Sequence, residues 1–371
     1  MALELGLSRE AFGLAIALQN LLFGLAQPIL GAWADRYGAA RVTVAGVVIY
    51  VAGLIGASQI DTAVGLNLTL GALVGLGLSG ATFVIVLGAV ARVVDPARRS
   101  LAFGLVTAGG SVGQFLLAPL VQGLILHLGW RGALVWLAAL VALAAPLAAG
   151  VAGRNQAGPA GADTSEGGLG AALGQALRHP GYGLLNLGFF VCGFHVAFIA
   201  THFPAYLGDM GLDPGIGAAS LALIGLFNIL GSYVFGLSGD RFSKKHVLAL
   251  IYLGRAIVIG LFLLFPLSPA SALVFAGAMG FLWLGTVPLT SGLVGQIFGV
   301  RYLSTLYGLV FMSHQIGSFL GAWAAGQVFE KLGSYDAVWG VSIVLGLVAS
   351  LAHLPIRQTP VMTAPTAGVG R

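Results

Sequence analysis

The sequence predicts an all-α, polytopic membrane protein consisting of two pseudo-symmetric helical bundles. Of its 371 residues, 58% are hydrophobic and only 8% are charged, whereas soluble domains carry about 25% charged residues. The apolar residues form runs of about 20 residues or more, long enough for a helix to cross roughly 30 Å of hydrocarbon. A twelve-residue stretch, 31–42, also returns as 236–247, at an offset of 205 residues. Together these observations predict two related bundles that face lipid.

The repeated stretch is a short charged turn between two apolar runs, and its flanks repeat in step. Asp35 and Arg36 of the first copy correspond to Asp240 and Arg241 of the second. Further matches at an offset of 204 or 205 residues are 4–8 with 209–213, 100–104 with 304–308, Gly113 with Gly317 and Gly129 with Gly333. Duplicated bundles of this kind are common among secondary transporters.

Taken in chain order, the apolar runs predict eleven helices. They are 9–30, 42–60, 65–91, 101–126, 132–151, 182–207, 215–235, 247–265, 270–298, 304–329 and 336–354. Ser8 and Asp213 are predicted N-caps, because their side chains can accept from the free N–H groups at a helix start. Pro214 suits the first position of a helix.

The breaks in the apolar pattern divide the chain into four parts. We predict a first bundle at 1–151, a polar, glycine-rich cytoplasmic linker at 152–180, a second bundle at 181–355 and a cytoplasmic tail at 356–371. Within the linker, a short surface helix is expected at 170–178.

The odd number of helices has an explanation in the repeat. At an offset of 205 residues, the first-bundle counterpart of helix 182–207 would precede Met1. We therefore expect that the first helix of the first bundle is missing, through truncation or through the choice of start site. The alternative is an eleven-helix protein with an external N-terminus.

The basic residues predict the orientation. Of 17 Lys and Arg residues, 13 lie in the loops that hold both charged turns and the C-terminus, three lie in the opposite loops, and Arg255 lies inside a helix. Cytoplasmic loops carry the excess of Lys and Arg. The side with 13 is thus predicted to be cytoplasmic, and the protein is predicted to lie in the cytoplasmic (inner) membrane.

Several functional classes are excluded by what the sequence contains. The net charge of +5 sits in short loops and not on a basic stripe with interleaved aromatics, so nucleic acid is not an expected partner. No P-loop, metal-ligand spacing or catalytic constellation is visible. We therefore expect no metal, no cofactor and no enzymatic activity. Cys192 is the single cysteine, so it has no partner for an intrachain disulfide.

Both charged turns resemble the signature loop of the major facilitator superfamily, G-x-L-a-D-r-x-G-r-k. The first copy matches at Gly31, Asp35, Arg36, Gly38 and Arg41. The second copy matches at Gly236, Asp240, Arg241, Lys244 and Lys245, with Ser243 in place of the later Gly. The resemblance covers essentially the whole chain and implies two bundles that rock about a central site.

In that family the loop acts as a conformational latch. The resemblance implies that Asp35, supported by Gly31, Arg36 and Arg41, pairs with a nearby helix N-terminus while the cytoplasmic side is closed. Asp240 and Arg241 are expected to form a weaker second latch. A carboxylate is stabilised at the positive end of a helix dipole. The alternative is a solvated turn that only sets orientation.

Arg255 is the one formal charge well inside a predicted span, about 12 Å past Val247 at 1.5 Å per residue. A buried Arg must face a cavity or a partner, and the sequence places no Asp or Glu at comparable depth. An anionic substrate would supply the counter-charge. Snorkelling to the surface and bonding to helix carbonyls are the alternatives.

Other polar side chains inside the spans are candidates for binding substrate or a coupling proton. His195, His202 and His314 titrate near neutral pH, with His314 and then His195 placed best. Gln114, Asn228 and Gln315 are further candidates for the substrate site. For each of these the alternative is a hydrogen-bonded structural role, since polar side chains also join membrane helices.

Two tracts, 193–204 and 314–321, resemble the carboxylate-transporting branches of the superfamily, which include monocarboxylate and oxalate-formate carriers. Monocarboxylate carriers place a substrate-binding Arg near 228–232, where this sequence has none. We predict a monomeric secondary transporter of a small organic anion, with proton coupling left open. Efflux of lipophilic compounds and a non-transporting membrane sensor are the alternatives.

Overall fold

The computed structural model describes residues 9–151 and 168–361, which are almost entirely helical. In the first bundle, the elements are α1 (Arg9–Tyr37), α2 (Ala39–Ser58), α3 (Ala63–Leu66), a π-helical segment (Asn67–Leu73), α4 (Val74–Ala81), α5 (Phe83–Val93), a 3-10 turn (Pro96–Arg98), α6 (Arg99–Ala142), α7 (Ala144–Leu147) and a second 3-10 turn (Ala148–Val151). The all-α, multi-pass fold class predicted from the sequence is confirmed.

The second bundle follows a short helix, α8 (Leu169–Arg178), which lies in the predicted linker. Its elements are α9 (Pro180–Asp209), α10 (Pro214–Arg241), α11 (Lys244–Leu264), α12 (Pro269–Leu282), α13 (Thr286–Phe298), α14 (Leu303–Leu332) and α15 (Asp336–His353). Asp213 caps α10 as expected, accepting from the Gly215 N–H at 2.7 Å. Ser8 lies outside the described residues.

Ten segments of the described chain are long and apolar enough to cross a membrane. The eleventh predicted helix, α14, has a comparable length of 30 residues. It is not among the ten, and it carries buried polar side chains such as Thr305, His314 and Gln315. Its polar character has a structural reason, because α14 packs on both α9 and α1 and therefore lies between the two bundles.

Four predicted helices differ from the structure in continuity. The helix expected at 65–91 contains the π-helical segment and is interrupted at Thr82, whose backbone is extended. The helix expected at 270–298 breaks between α12 and α13. The helices expected at 101–126 and 132–151 instead meet within α6, at Gly129. Gly129 has φ 68°, a left-handed backbone that glycine adopts without a Cβ clash.

The bundles meet at two helix crossings related by the sequence repeat. In one, Gly31 of α1 lies against the Ser304 carbonyl of α14, and Gly308 lies against the backbone at Gln27. In the other, Gly104 of α6 and Gly236 of α10 face each other. Because a Cβ at any of these glycines would strike backbone, the sequence must keep glycine there for the helices to approach so closely.

The two bundles differ in how α6 and α14 are covered. Gly317 and Gly321 of α14 contact the backbone of α9, whereas Gly113, the counterpart of Gly317, has no neighbour within 4 Å among the described residues. The described residues contain no first-bundle counterpart of α9. The expectation of a missing first helix stays a prediction.

The orientation can be tested with cysteines at Tyr37 and Phe242, the matching exposed positions of the two repeats (50% and 66% exposed). We expect an impermeant maleimide to label both from the cytoplasmic side. Met210→Cys, at the far end of the fold and 58% exposed, should label from the outside. The native Cys192 is fully buried, which keeps the background low. Labelling of Tyr37→Cys and Phe242→Cys from opposite faces would contradict the duplicated topology.

Candidate functional site

Asp35 joins the end of α1 to the start of α14 in the other bundle. Its Oδ2 accepts from the Thr305 N–H and the Thr305 hydroxyl, each at 2.8 Å, and its Oδ1 accepts from the Ser304 N–H at 3.3 Å. Arg92 donates to Oδ1 at 3.1 Å, and the Asp35 side chain is only 1% exposed. Since α14 has no capping side chain of its own at Tyr302, Asp35 supplies the cap from across the interface.

Asp240 makes the reciprocal contact with the first bundle. Its two carboxylate oxygens accept from the Ser100 N–H and the Leu101 N–H, both at 2.8 Å, at the start of α6. That helix also lacks a capping side chain at its own N-cap, Arg98. Each repeated turn therefore caps a helix of the opposite bundle, at the second and third residues in both cases.

The arginine that makes the ion pair with Asp35 comes from outside the first turn. Arg92, at the end of α5, makes the ion pair with Asp35. The Arg36 guanidinium lies 5.2 Å from the centre of the Tyr37 ring. Arg41 is exposed on α2, where it lines two surface grooves, and Arg241 of the second turn is exposed as well. The expectation that Arg41 positions Asp35 finds no contact that supports it.

An aromatic cluster lies between the bundles, deeper than the two carboxylate contacts. Phe311 of α14 packs against Phe23 of α1 at 5.2 Å, Phe83 of α5 at 5.4 Å and Phe189 of α9 at 6.4 Å between ring centroids. The His314 ring stacks on Phe311 at 5.5 Å with an interplanar angle of 10°. Both bundles therefore contribute rings around Phe311, and Phe311 and Phe189 of the second bundle flank His314.

Polar groups surround the same histidine. His314 Nδ1 lies 3.1 Å from Gln315 Oε1 and 3.4 Å from the Ser318 hydroxyl. Gln315 packs against Gly24 of α1. The structure thus brings Gln315 to the interface between the bundles, with His314 beside it in the second bundle.

Asn228 lies at the second crossing, where α10 meets α6. Its Nδ2 donates to the Ser111 hydroxyl of the first bundle at 2.7 Å, and its Oδ1 accepts from the Leu284 N–H at 2.9 Å. The second contact holds the break between α12 and α13. Asn228 therefore connects the interface to an irregular segment inside the second bundle.

Arg255 is fully buried in the second bundle, and its Nη2 lies 3.5 Å from the sulfur of Cys192, which in turn contacts His314. Its Nε and Nη2 donate to the Leu282 carbonyl at 3.2 and 2.8 Å, and Nη2 also donates to the Trp283 carbonyl. These carbonyls end α12, so Arg255 takes the place of the next helical turn. The contacts agree with the predicted alternative of bonding to helix carbonyls. Its Nη1 is buried without a hydrogen-bond partner among the described residues, so the substrate-binding role of Arg255 stays a prediction.

His195 and Gln114 complete the predicted set. His195 Nε2 lies 2.8 Å from the Ser342 carbonyl of α15, inside the second bundle. The structure does not bring His195 to the interface between the bundles. The side chain of Gln114 lies outside the described part of the structure.

The sequence reasoning missed the aromatic cluster, the ion pair of Arg92 and the polar contacts of Ser111. It searched the spans for titratable and amide groups, and phenylalanine in an apolar run carries no such signal. One pattern was available, because Phe311 lies three residues before His314 and residues at that spacing share a helix face.

Comparison with known proteins gives a consistent picture. The sequence model of the Major Facilitator Superfamily matches residues 1–322. Monocarboxylate transporter 13 of Bos taurus is 28% identical over 95% of this chain and 81% of its own length. The MFS-type transporter YcxA of Bacillus subtilis (strain 168) is 24% identical over 94% of this chain and 86% of its own.

Solved structures show the same fold. A crystal structure of the E. coli transporter FucP in the outward conformation superposes with a TM-score of 0.72 at 17% identity, covering 95% of this chain and 91% of FucP. The proton:xylose symporter XylE superposes with a TM-score of 0.70 at 14% identity, covering 94% of this chain and 87% of XylE.

The structural role of Arg255 predicts that Arg255→Met lowers the thermal midpoint of the purified protein. Loss of its charged donors leaves two carbonyls without partners, a cost of about 2–4 kcal/mol. Arg178→Met, which removes an exposed Arg, should change little. An unchanged midpoint together with abolished substrate binding would instead assign Arg255 to the substrate site.

Proposed function

The chain belongs to the major facilitator superfamily, and on that premise we propose that it is a secondary active transporter of small organic anions that works by alternating access. The observation that carries the mechanism is the reciprocal capping by Asp35 and Asp240. Each acid belongs to one bundle and holds a helix start of the other. The two contacts lie at the same end of the fold, which the distribution of basic residues makes the cytoplasmic end.

These contacts can form and break as the two bundles move relative to each other. A carboxylate at a helix N-terminus gains from charge-assisted hydrogen bonds, about 1.5–3 kcal/mol for a bond to a charged group. When the bundles separate at this end, water can replace the protein donors, so the net cost of opening is modest. The contacts of Asp35 and Asp240 then shift the equilibrium between two conformers while both conformers stay populated.

The groups around His314 support an organic anion as the substrate. The cluster offers amide and imidazole donors from Gln315 and His314, and no acid contacts it in the described residues. Gln315 packs against Gly24 of the first bundle, so a ligand beside Gln315 would contact both halves. The surrounding phenylalanines can receive an apolar body. Monocarboxylate transporter 13 is a relative across the whole chain.

A protonated His314 would provide a positive charge beside Gln315. Neutral His314 can take up a proton on a ring nitrogen, and the resulting imidazolium can pair with a carboxylate. Proton and anion would then cross together without net charge transfer. This arrangement also explains how a chain without an Arg near Asn228 can bind a carboxylate.

We expect His314→Gln to abolish the stimulation of monocarboxylate uptake by an inward proton gradient. Because glutamine still donates a hydrogen bond, exchange of labelled for unlabelled acid at equal pH should continue. The measurement is uptake of labelled short monocarboxylates into proteoliposomes, with the exposed His246→Gln as a matched control. Proton-stimulated uptake that survives in His314→Gln contradicts the assignment.

The same assay separates the rival functions. Export of lipophilic dyes without acid uptake would replace the proposal with efflux. Binding without any flux would indicate a membrane sensor.

The closure hypothesis predicts that Asp35→Ala and Asp240→Ala open the cytoplasmic end. Spin labels at Val93 in the first bundle and Phe242 in the second, both highly exposed (77% and 66%), should show a longer distance population in each variant. The loss of one charged contact, about 1.5–3 kcal/mol, corresponds to a shift of roughly tenfold or more. Asp61→Ala breaks the exposed ion pair with Arg131 and should leave the distances unchanged. Unaltered distributions in both cap variants would refute the closure.

A further inference from the structure

Arg41 lies on the rim of two grooves that flank α2 on the outer surface of the first bundle. One groove, of about 400 Å³, runs between α1 and α2. The other, of about 530 Å³, runs between α2 and the segment around α7. Arg41 and Ala45 line both grooves.

Apart from Arg41, the side chains that form the walls are uncharged and almost wholly apolar. The first groove is lined by Leu30, Trp33, Tyr37, Ala45, Ile49 and Leu76. The second is lined by Ala40, Val44, Ala45, Ala145, Pro146 and Ala149. Among the described residues, no acid lines either groove.

The position of the grooves matches one leaflet of a bilayer. Arg41 is the third residue of α2, at the end of a membrane span. From Arg41 to Ile49 the helix rises about 12 Å, most of the roughly 15 Å depth of one leaflet's hydrocarbon. Trp33 and Tyr37 are half exposed beside it (53% and 50%), at the level where aromatic residues meet the headgroups.

The guanidinium of Arg41, on the rim of the grooves, is accessible to a ligand. In the described part of the chain, no hydrogen bond or ion pair is made by Arg41, and its side chain is exposed. The nearby acid, Asp35, is taken up by Arg92 and the start of α14. A cation above two apolar grooves is complementary to a negative headgroup that carries two hydrocarbon chains.

We propose that this surface binds one anionic glycerophospholipid, with its phosphate on Arg41 and its acyl chains in the two grooves. The second bundle offers a contrast at the repeat-related end of α11. There Lys244 donates to Gln296 and Lys245 donates to the Leu354 carbonyl, so these two cations already have partners.

The site is tested by native mass spectrometry of the purified full chain titrated with dioleoyl-phosphatidylglycerol or dioleoyl-phosphatidylcholine. The wild-type chain should retain more phosphatidylglycerol than phosphatidylcholine. One Arg near a membrane surface contributes about 1 kcal/mol, so Arg41→Gln should lower phosphatidylglycerol affinity about fivefold. Arg98→Gln, which removes another exposed cation of the same end, should not.

A second variant tests the grooves independently of the charge. Ala45 is exposed and lines both grooves, so Ala45→Trp should obstruct the acyl chains and reduce binding while Arg41 remains. Glycerol phosphate, which has the headgroup chemistry without chains, should not compete. Equal phosphatidylglycerol binding by wild type and Arg41→Gln would overturn the proposal. So would full binding by Ala45→Trp, or competition by glycerol phosphate.

Discussion

The structure depends on one constraint: peptide groups left free where a helix starts or breaks inside a membrane must find a partner, because hydrocarbon offers none. Four side chains meet this need. Asp35 and Asp240 take the N–H groups that begin α14 and α6. Arg255 takes the carbonyls that end α12, and Asn228 takes the Leu284 N–H at the same break. The few charged and amide side chains of the interior are thus placed where the backbone is unsatisfied.

The location of these partners distinguishes fixed contacts from breakable ones. Arg255 and the break that it holds belong to one bundle and are fully enclosed, so the contact can persist whatever the bundles do. The two acids reach across the interface at an end where water can substitute for them. The Ser111–Asn228 hydrogen bond also crosses the interface but is buried. If the bundles separate at this end, solvent can therefore replace the donors that the two acids lose.

The sequence identified Asp35 and Asp240 because a charged turn that occurs twice between apolar runs is conspicuous in a chain with 8% charged residues. It did not identify Arg92 as the partner of Asp35, because the two residues lie 57 positions apart and many arginines lie at the same end of the helices. For Arg255 it left an anion and helix carbonyls as alternatives, because it could count acids but could not see carbonyls freed by a break in a helix. The aromatic cluster was missed since phenylalanine in a membrane helix most often faces lipid or core.

By itself, the sequence determined that this protein spans a membrane as two related helical bundles, because apolar run length, charge content and an offset of 205 residues are properties of the chain. It also located the helix ends closely wherever a cap such as Asp213 marks them. Only the tertiary structure decided which helix each acid caps, where the long helices break, and that Phe311 and Gln315 of α14 contact the first bundle. Those outcomes depend on close approaches between segments distant in sequence, such as Gly31 with Ser304, and local patterns do not encode which surfaces will meet.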